Sequence, residues 1–161
     1  MQTTTPRLLL RPYSLAEAER VLARTPAAHD VWAPDYPFAD EIDILPRFIA
    51  DFRANGDPQP FGPYVVCRRS DNAAIGGIGF TGSPDDEGAV EVGYGLVASA
   101  RGNGFAAEAL AAAVGIARAS GARLLRADTT LDNVASQRVL AGAGLVEVRR
   151  EGQALYFELS L

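Results

Sequence analysis

Apolar positions recur at two spacings along this chain, and the switches between them predict its elements. Leu8-Leu9-Leu10 reads as a short strand. Ser14-Leu15-Ala16-Glu17 has the form of a helix capping box. Leu15, Ala18, Val21 and Leu22 follow at helical spacing until Thr25-Pro26 stops them. Residues 26–40 combine Pro26, Pro34 and Pro37 with Trp32, Tyr36 and Phe38, a loop with apolar anchors. A second helix is predicted over 41–54, with Ile42, Leu45, Phe48, Ile49 and Phe52 on one side. Pro46 is a candidate break in it, and Asn55-Gly56 its stop.

Strand-like runs then take over at 64–68, 75–81 and 89–97, joined by turns at 70–72 and 82–88 and read as antiparallel neighbours. An Ala-rich helix is predicted over 104–120, ended by Gly121. A strand over 124–129, a short helix over 133–143 ended by Gly144, and a hairpin of 145–149 with 155–159 complete the chain. The order is β-α-α-β-β-β-α-β-α-β-β, a single α+β domain over 1–161.

Composition narrows the chemistry. All 15 basic residues are Arg, so a Schiff-base lysine and a P-loop lysine are both excluded. One His (His29) and one Cys (Cys67) are too few for a zinc site of His and Cys ligands, and no metal is expected. An intrachain disulfide is ruled out, which suits a reducing, cytoplasmic setting. The net charge of −5 without a basic stripe argues against nucleic acid. No apolar run has the length of a membrane span.

Two glycine motifs stand out. Gly77-Ile78-Gly79-Phe80-Thr81-Gly82 spells G-x-G-x-x-G, but a turn follows it where a dinucleotide fingerprint needs a helix. Its glycines are read as sites of close packing or a bulge. Arg101-Gly102-Asn103-Gly104-Phe105-Ala106 instead joins a strand to the long helix. Its glycines let the backbone turn tightly and aim N–H groups at one point, and the helix N-terminus adds unpaired N–H groups and a positive dipole end. With Arg101 beside it, this loop is an anion site suited to a pyrophosphate.

These residues carry a resemblance. Arg101-x-x-Gly104-x-Ala106 is similar to the Q/R-x-x-G-x-G/A signature of the GNAT superfamily of N-acetyltransferases. Glu91-Val92-Gly93-Tyr94 resembles the E-I-G-Y strand of its ribosomal-protein N-terminal acetyltransferase (RimJ/RimL-type) branch. Gly104-Phe105-Ala106-Ala107-Glu108-Ala109 resembles that branch's G-x-A-x-E-A helix. Asn133-Val134-Ala135-Ser136 with Leu140 and Gly144-Leu145, and the opening Leu8–Pro12 strand, extend the match over almost the whole chain.

The resemblance implies a GNAT fold: a mixed, mostly antiparallel central sheet flanked by helices, with a splay between the fourth and fifth strands. It implies acetyl-CoA as co-substrate and a primary amine, on a protein N-terminus or a small molecule, as acceptor. Backbone groups of Leu96, Val97 and Ala98 would meet the pantetheine, N–H groups of Arg101 through Ala106 the pyrophosphate, and Asn133 the pantetheine arm.

Strand alternation puts Glu91, Gly93, Gly95 and Val97 on one face, with Val90, Val92, Tyr94 and Leu96 on the core side. Glu91 beside two glycines is therefore a candidate base for the ammonium that must lose a proton, with partial burial expected to raise its pKa. The family's Tyr on the short helix, donor to the leaving thiolate, is replaced by Leu140; Ser136 nearby is the candidate acid, or else a helix-capping residue. Trp32 is expected as a wall of the acceptor pocket. The alternative is a noncatalytic acyl-CoA-binding module or sensor, as a monomer or homodimer like the enzyme.

Overall fold

The computed structural model describes all 161 residues. The chain opens with β1 (Thr3–Thr4) and β2 (Leu8–Pro12), a pair whose first member is too short to leave a pattern in the sequence. Helix α1 (Leu15–Ala23) starts where the Ser14 hydroxyl accepts from the Glu17 N–H at 3.1 Å. The second half of the capping box does not form, because the Glu17 carboxylate is drawn to the Arg11 guanidinium on β2. Helix α2 (Ala39–Asn55) runs unbroken through Pro46, which lies on its exposed side. On that side, the carbonyl to which a proline cannot donate is left open to solvent.

Strands β3 (Pro63–Arg68), β4 (Ala74–Phe80) and β5 (Ala89–Leu96) form the expected antiparallel run. Helix α3 (Phe105–Ala119) then crosses to β6 (Leu124–Thr130), and α4 (Val134–Gly142) leads to the hairpin of β7 (Val146–Glu151) and β8 (Ala154–Ser160). All eight strands join one sheet in the order β1-β2-β3-β4-β5-β6-β8-β7.

Every pairing is antiparallel except β5 with β6. That parallel contact holds only Ala89, Val90 and Glu91 opposite Leu124, Leu125 and Arg126. Beyond it β5 continues against β4, and β6 against β8, so the sheet opens between them. This is the expected splay, between the fifth and sixth strands once β1 is counted.

The faces of β5 show what covers each side of the opening. Gly95 lies under the Phe38 ring at the start of α2, while its neighbour Tyr94 reaches Ser136 on α4. Helices α1 and α2 therefore cover one face, and α3 and α4 the other. The core between the layers holds Leu8, Leu10, Leu45, Ile75, Leu110, Leu125 and Leu140, all fully buried. Each contributes ~1.5–3 kcal/mol through loss of apolar surface from water.

Candidate functional site

A 3-10 turn, Ala98–Ala100, follows β5 and leads into the glycine loop. Gly102 and Gly104 take φ of +80° and +79°, the left-handed region that side chains disfavour. The consequence is a row of donors. The N–H groups of Gly102, Asn103, Gly104, Phe105, Ala106 and Ala107 have no partner within the protein. They stand at the positive end of a 15-residue helix, an arrangement that favours a phosphate. The Arg101 N–H is not among them, since it donates to Ala98.

The charged side chain at this loop is not the one expected. Arg101 turns back along β5: its Nε donates to the Leu96 carbonyl at 3.0 Å, and its guanidinium lies 5.4 Å from the Phe38 ring centre. Arg7, from the turn between β1 and β2, takes the place beside the loop. It donates to the Asn103 carbonyl at 2.8 Å and to Glu108 through both Nε and its backbone N–H, each at 2.7 Å, and its guanidinium stacks 4.7 Å from Phe105. Burial alone would raise the Glu108 carboxyl, but hydrogen bonds from Thr5 and Arg7 hold it below the usual carboxylate range. Arg7 and Glu108 thus fix the loop to the far edge of the sheet.

On β5 itself, the Val97 N–H donates to Ile75 on β4 at 2.9 Å. Val97 is therefore turned away from the splay. Alternation leaves the backbone groups of Tyr94 and Leu96 facing it. The Ala98 N–H has no backbone partner. Of the three residues expected along the pantetheine, Leu96 keeps an N–H toward the opening, its carbonyl being taken by Arg101; the Ala98 N–H is unpaired, and Val97 is bonded back to β4.

The predicted faces hold from Val90 to Leu96. Val90, Val92 and Leu96 are buried; Glu91 and Gly93 are exposed. Glu91 was expected to be partly buried and is not: it is the last β5 residue paired with β6, and only strand and turn residues, no helix, line the space over it. It lines a cavity of about 180 Å3 with Thr81, Ser83, Asp85 and Arg126. Arg126 stands opposite it in register but is committed to Asp85, Glu87 and Glu158, so Glu91 carries no ion pair. Nothing lies within 4 Å of where a Gly93 side chain would begin.

Trp32 is not part of this space. It forms a β-bridge with Ala74, packs edge-on against Tyr36, and lines a separate cavity of about 480 Å3 with Arg11, Glu17, Arg20 and Asp30. The aromatic that reaches β5 is Phe38. Its loop is held by Asp35, which accepts from both the Ser99 hydroxyl at 2.6 Å and the Ser99 N–H at 2.9 Å.

At the other wall of the opening, Asn133 caps α4, its side-chain oxygen accepting from the Ser136 N–H at 3.1 Å. Ser136 is half-buried, and its hydroxyl lies 2.9 Å from the Tyr94 hydroxyl. Leu140 is fully buried in the core.

Sequence reasoning passed over one further cluster. Glu41, in the first turn of α2, is buried beneath the loop. The hydroxyls of Tyr13 and Tyr36 both donate to its Oε2, at 2.6 and 2.9 Å, while Oε1 has no partner. Burial pushes the Glu41 carboxyl up to about 7, and both tyrosine hydroxyls far above their ordinary value. The carboxyl rests against Gly77, which pairs with Gly95. The signal for both covers was present in the sequence: glycines in mid-strand mark close approach. No group of three or more His, Cys, Asp or Glu is gathered as a metal site, and no helix is long and apolar enough to cross a membrane.

Comparison with known proteins agrees with this geometry. Residues 7–146 match the family described as "Acetyltransferase (GNAT) domain". The uncharacterized N-acetyltransferase YjdG of Bacillus subtilis (strain 168) is 26% identical over 114 residues, covering 70% of this chain and 67% of that protein. Among solved structures, the ribosomal-protein-S5-alanine acetyltransferase of Vibrio fischeri superposes with a TM-score of 0.67 at 16% identity, covering 99% of this chain and 96% of its own. RimJ of Mycobacterium smegmatis in complex with CoA-disulfide gives 0.67 at 20% identity, covering 95% and 81%. The family match spans the splayed strands and the loop of unpaired amides alike, and the chain belongs to the GNAT acetyltransferases, which use acetyl-CoA as co-substrate.

Proposed function

We propose that this protein transfers the acetyl group of acetyl-CoA directly to a primary amine that approaches over Gly93, with Glu91 taking the amine's proton. The observation that carries this reading is the open trough on the α1–α2 face where β5 leaves β6, floored by Gly93 and flanked by an exposed, unpaired carboxylate. An ammonium has no lone pair with which to attack a thioester; a carboxylate beside it removes the proton directly or through one water. The donor lies along the opposite side of the opening. The unpaired amides of Gly102–Ala107 hold its pyrophosphate, groups of Leu96 and Ala98 meet the pantetheine, and Asn133 and Ser136 stand near the sulfur.

Direct transfer follows from the state of the nucleophiles. Cys67 is buried, burial raises its thiol, and its polar neighbour is the Arg11 guanidinium at 3.8 Å rather than a base. His29 is exposed beside Arg20 and Asp30. Neither forms an activated pair for an acyl-enzyme.

The trough is open to solvent, which suits an extended chain presenting its N-terminus better than a small amine needing enclosure. The likeness to an S5-alanine acetyltransferase points the same way. The cytoplasm fits a chain with one buried thiol, and the enzyme acts as a monomer or homodimer.

Glu91→Gln tests the assignment. Single-turnover transfer to a peptide with a free N-terminal alanine should fall ~100-fold or more at pH 7, the usual contribution of a positioned base. Acetyl-CoA affinity should hold, and the deficit should shrink at alkaline pH, where water already deprotonates the amine. Full turnover of the variant at every pH refutes Glu91 as the base.

A further inference from the structure

We propose that Tyr94 is a positioning residue for the leaving group: it orients the Ser136 hydroxyl so that its hydrogen is offered to the coenzyme sulfur. This rests on the acetyl-transfer reading above and assigns a role within the same site.

The argument begins with what α4 can offer. Leu140 is fully buried and has no polar atom, and Ser136 is the one hydroxyl on the helix. Its backbone is fixed by the Asn133 cap, which sets it in the first turn, where unpaired N–H groups and the helix dipole favour negative charge. A serine hydroxyl can still rotate freely about its C–O bond, and a donor that points in any direction stabilises nothing in particular. Tyr94 removes that freedom. It stands in the buried row of β5, yet unlike Val90, Val92 and Leu96 it is only half-buried. It leaves the strand just after β5 and β6 part, and crosses toward α4.

Between the two hydroxyls, 2.9 Å apart, the phenol is the stronger acid and therefore the donor. The other acceptor near the phenol, the Ser136 carbonyl, is at 3.5 Å, too far to compete. Burial raises the Tyr94 hydroxyl, with Ser136 pulling the other way, so the phenol keeps its hydrogen at neutral pH. Once Ser136 Oγ accepts from Tyr94, its own hydrogen points to a third atom, on the open side of the pair.

The step balances simply. Glu91 takes one proton from the ammonium and passes it to water; the neutral nitrogen then bonds to the acetyl carbon and gives its second proton to Glu91. The C–S bond breaks, and its electron pair stays on sulfur. Ser136 Oγ–H donates a hydrogen bond to that thiolate, which takes its proton from water after release. The Glu91 proton returns to water, so no group is consumed. A preorganised donor of this kind acts where charge develops, which is where it lowers a barrier.

The test is a double-mutant cycle of Tyr94→Phe and Ser136→Ala, read by single-turnover acetyl transfer to the amine that reacts fastest in a panel of peptides and small amines. Tyr94→Phe keeps the ring and should keep the unfolding midpoint and acetyl-CoA affinity of the wild type. Its chemical step should slow ~10-fold, the scale of one lost hydrogen bond. Ser136→Ala should slow transfer at least as much, and the double variant no more than Ser136→Ala alone, because Tyr94 acts through Ser136. A Tyr94→Phe rate equal to wild type, losses that multiply, or a loss seen only in acetyl-CoA binding each overturn the proposal while the wild type remains active. A wild type that transfers to no amine overturns the acetyl-transfer reading and this proposal with it.

Discussion

Two glutamates are buried in this fold, and their surroundings treat them in opposite ways. Glu17 lies in the fork of Arg11, whose guanidinium is held well above its ordinary pKa chiefly by the hydrogen bond to that carboxylate. Glu41 has two phenols and no cation. Burial holds the carboxyl's proton up to about 7, against 4.5 for an ordinary glutamate, and one oxygen there has no partner. The folded state therefore binds a proton that the unfolded chain has already lost between those two values. This contribution is fully present below pH 4.5 and is lost as pH rises through 7. Its size is on the order of 3 kcal/mol between the two limits. Wild-type stability, read from denaturant midpoints, should fall between pH 5.5 and 8.5, and Glu41→Gln should flatten that slope. Parallel slopes for the two proteins would show that Glu41 is already ionised at pH 5.5.

At the scale of the element, β5 shows how one strand serves two purposes. Its glycines look alike in sequence, yet Gly95 is covered and Gly93 is open. A methyl group at Gly95 would enter the Phe38 ring, and one at Gly93 would meet nothing. Gly95→Ala should therefore destabilise the fold by ~1–3 kcal/mol as an overpacked contact, with Gly93→Ala nearly neutral in thermal unfolding. Equal midpoints for the two variants would mean that the Phe38 loop moves aside at no cost.

The same strand shows what a sequence can and cannot disclose. Alternation placed Glu91 and Gly93 on one face and Val90 and Val92 on the other, because a period of two is a local property. What lies over each face is not local. Phe38 comes from the loop before α2, and the arginine beside the anion loop comes from the turn after β1, 96 residues away from the Asn103 carbonyl it holds. Adjacency in sequence pointed to Arg101 and to Trp32; the fold sends one back along β5 and the other to a separate cavity. Tyr94 was hidden for a related reason. A tyrosine in a buried row reads as core until the strand beside it veers away and its hydroxyl meets α4. The partial burial expected of Glu91 failed for a related cause, since which helix covers a strand's face is not a local property and none covers this one.

At the scale of the whole molecule, a chain of net charge −5 holds a strongly anionic co-substrate. Under the proposed reading, six unpaired backbone N–H groups at one helix end make this workable, because dipoles fixed at short range outweigh diffuse charge that salt screens over about 8–10 Å. The absence of lysine has its own use in an experiment. With no ε-amino group, the only amine this protein itself presents to the thioester is its N-terminus.

The measurement that bears most directly on the central claim is release of free CoA thiol from acetyl-CoA across a panel of N-terminal peptides and small amines. Mass spectrometry of acceptor and protein should accompany it. Thiol release should depend on the amine, be greatest with peptides, and match one acetyl group gained per acceptor, with the protein labelled at most at its N-terminus. Tight binding of acetyl-CoA without amine-dependent thiol release from any member of the panel would contradict the account.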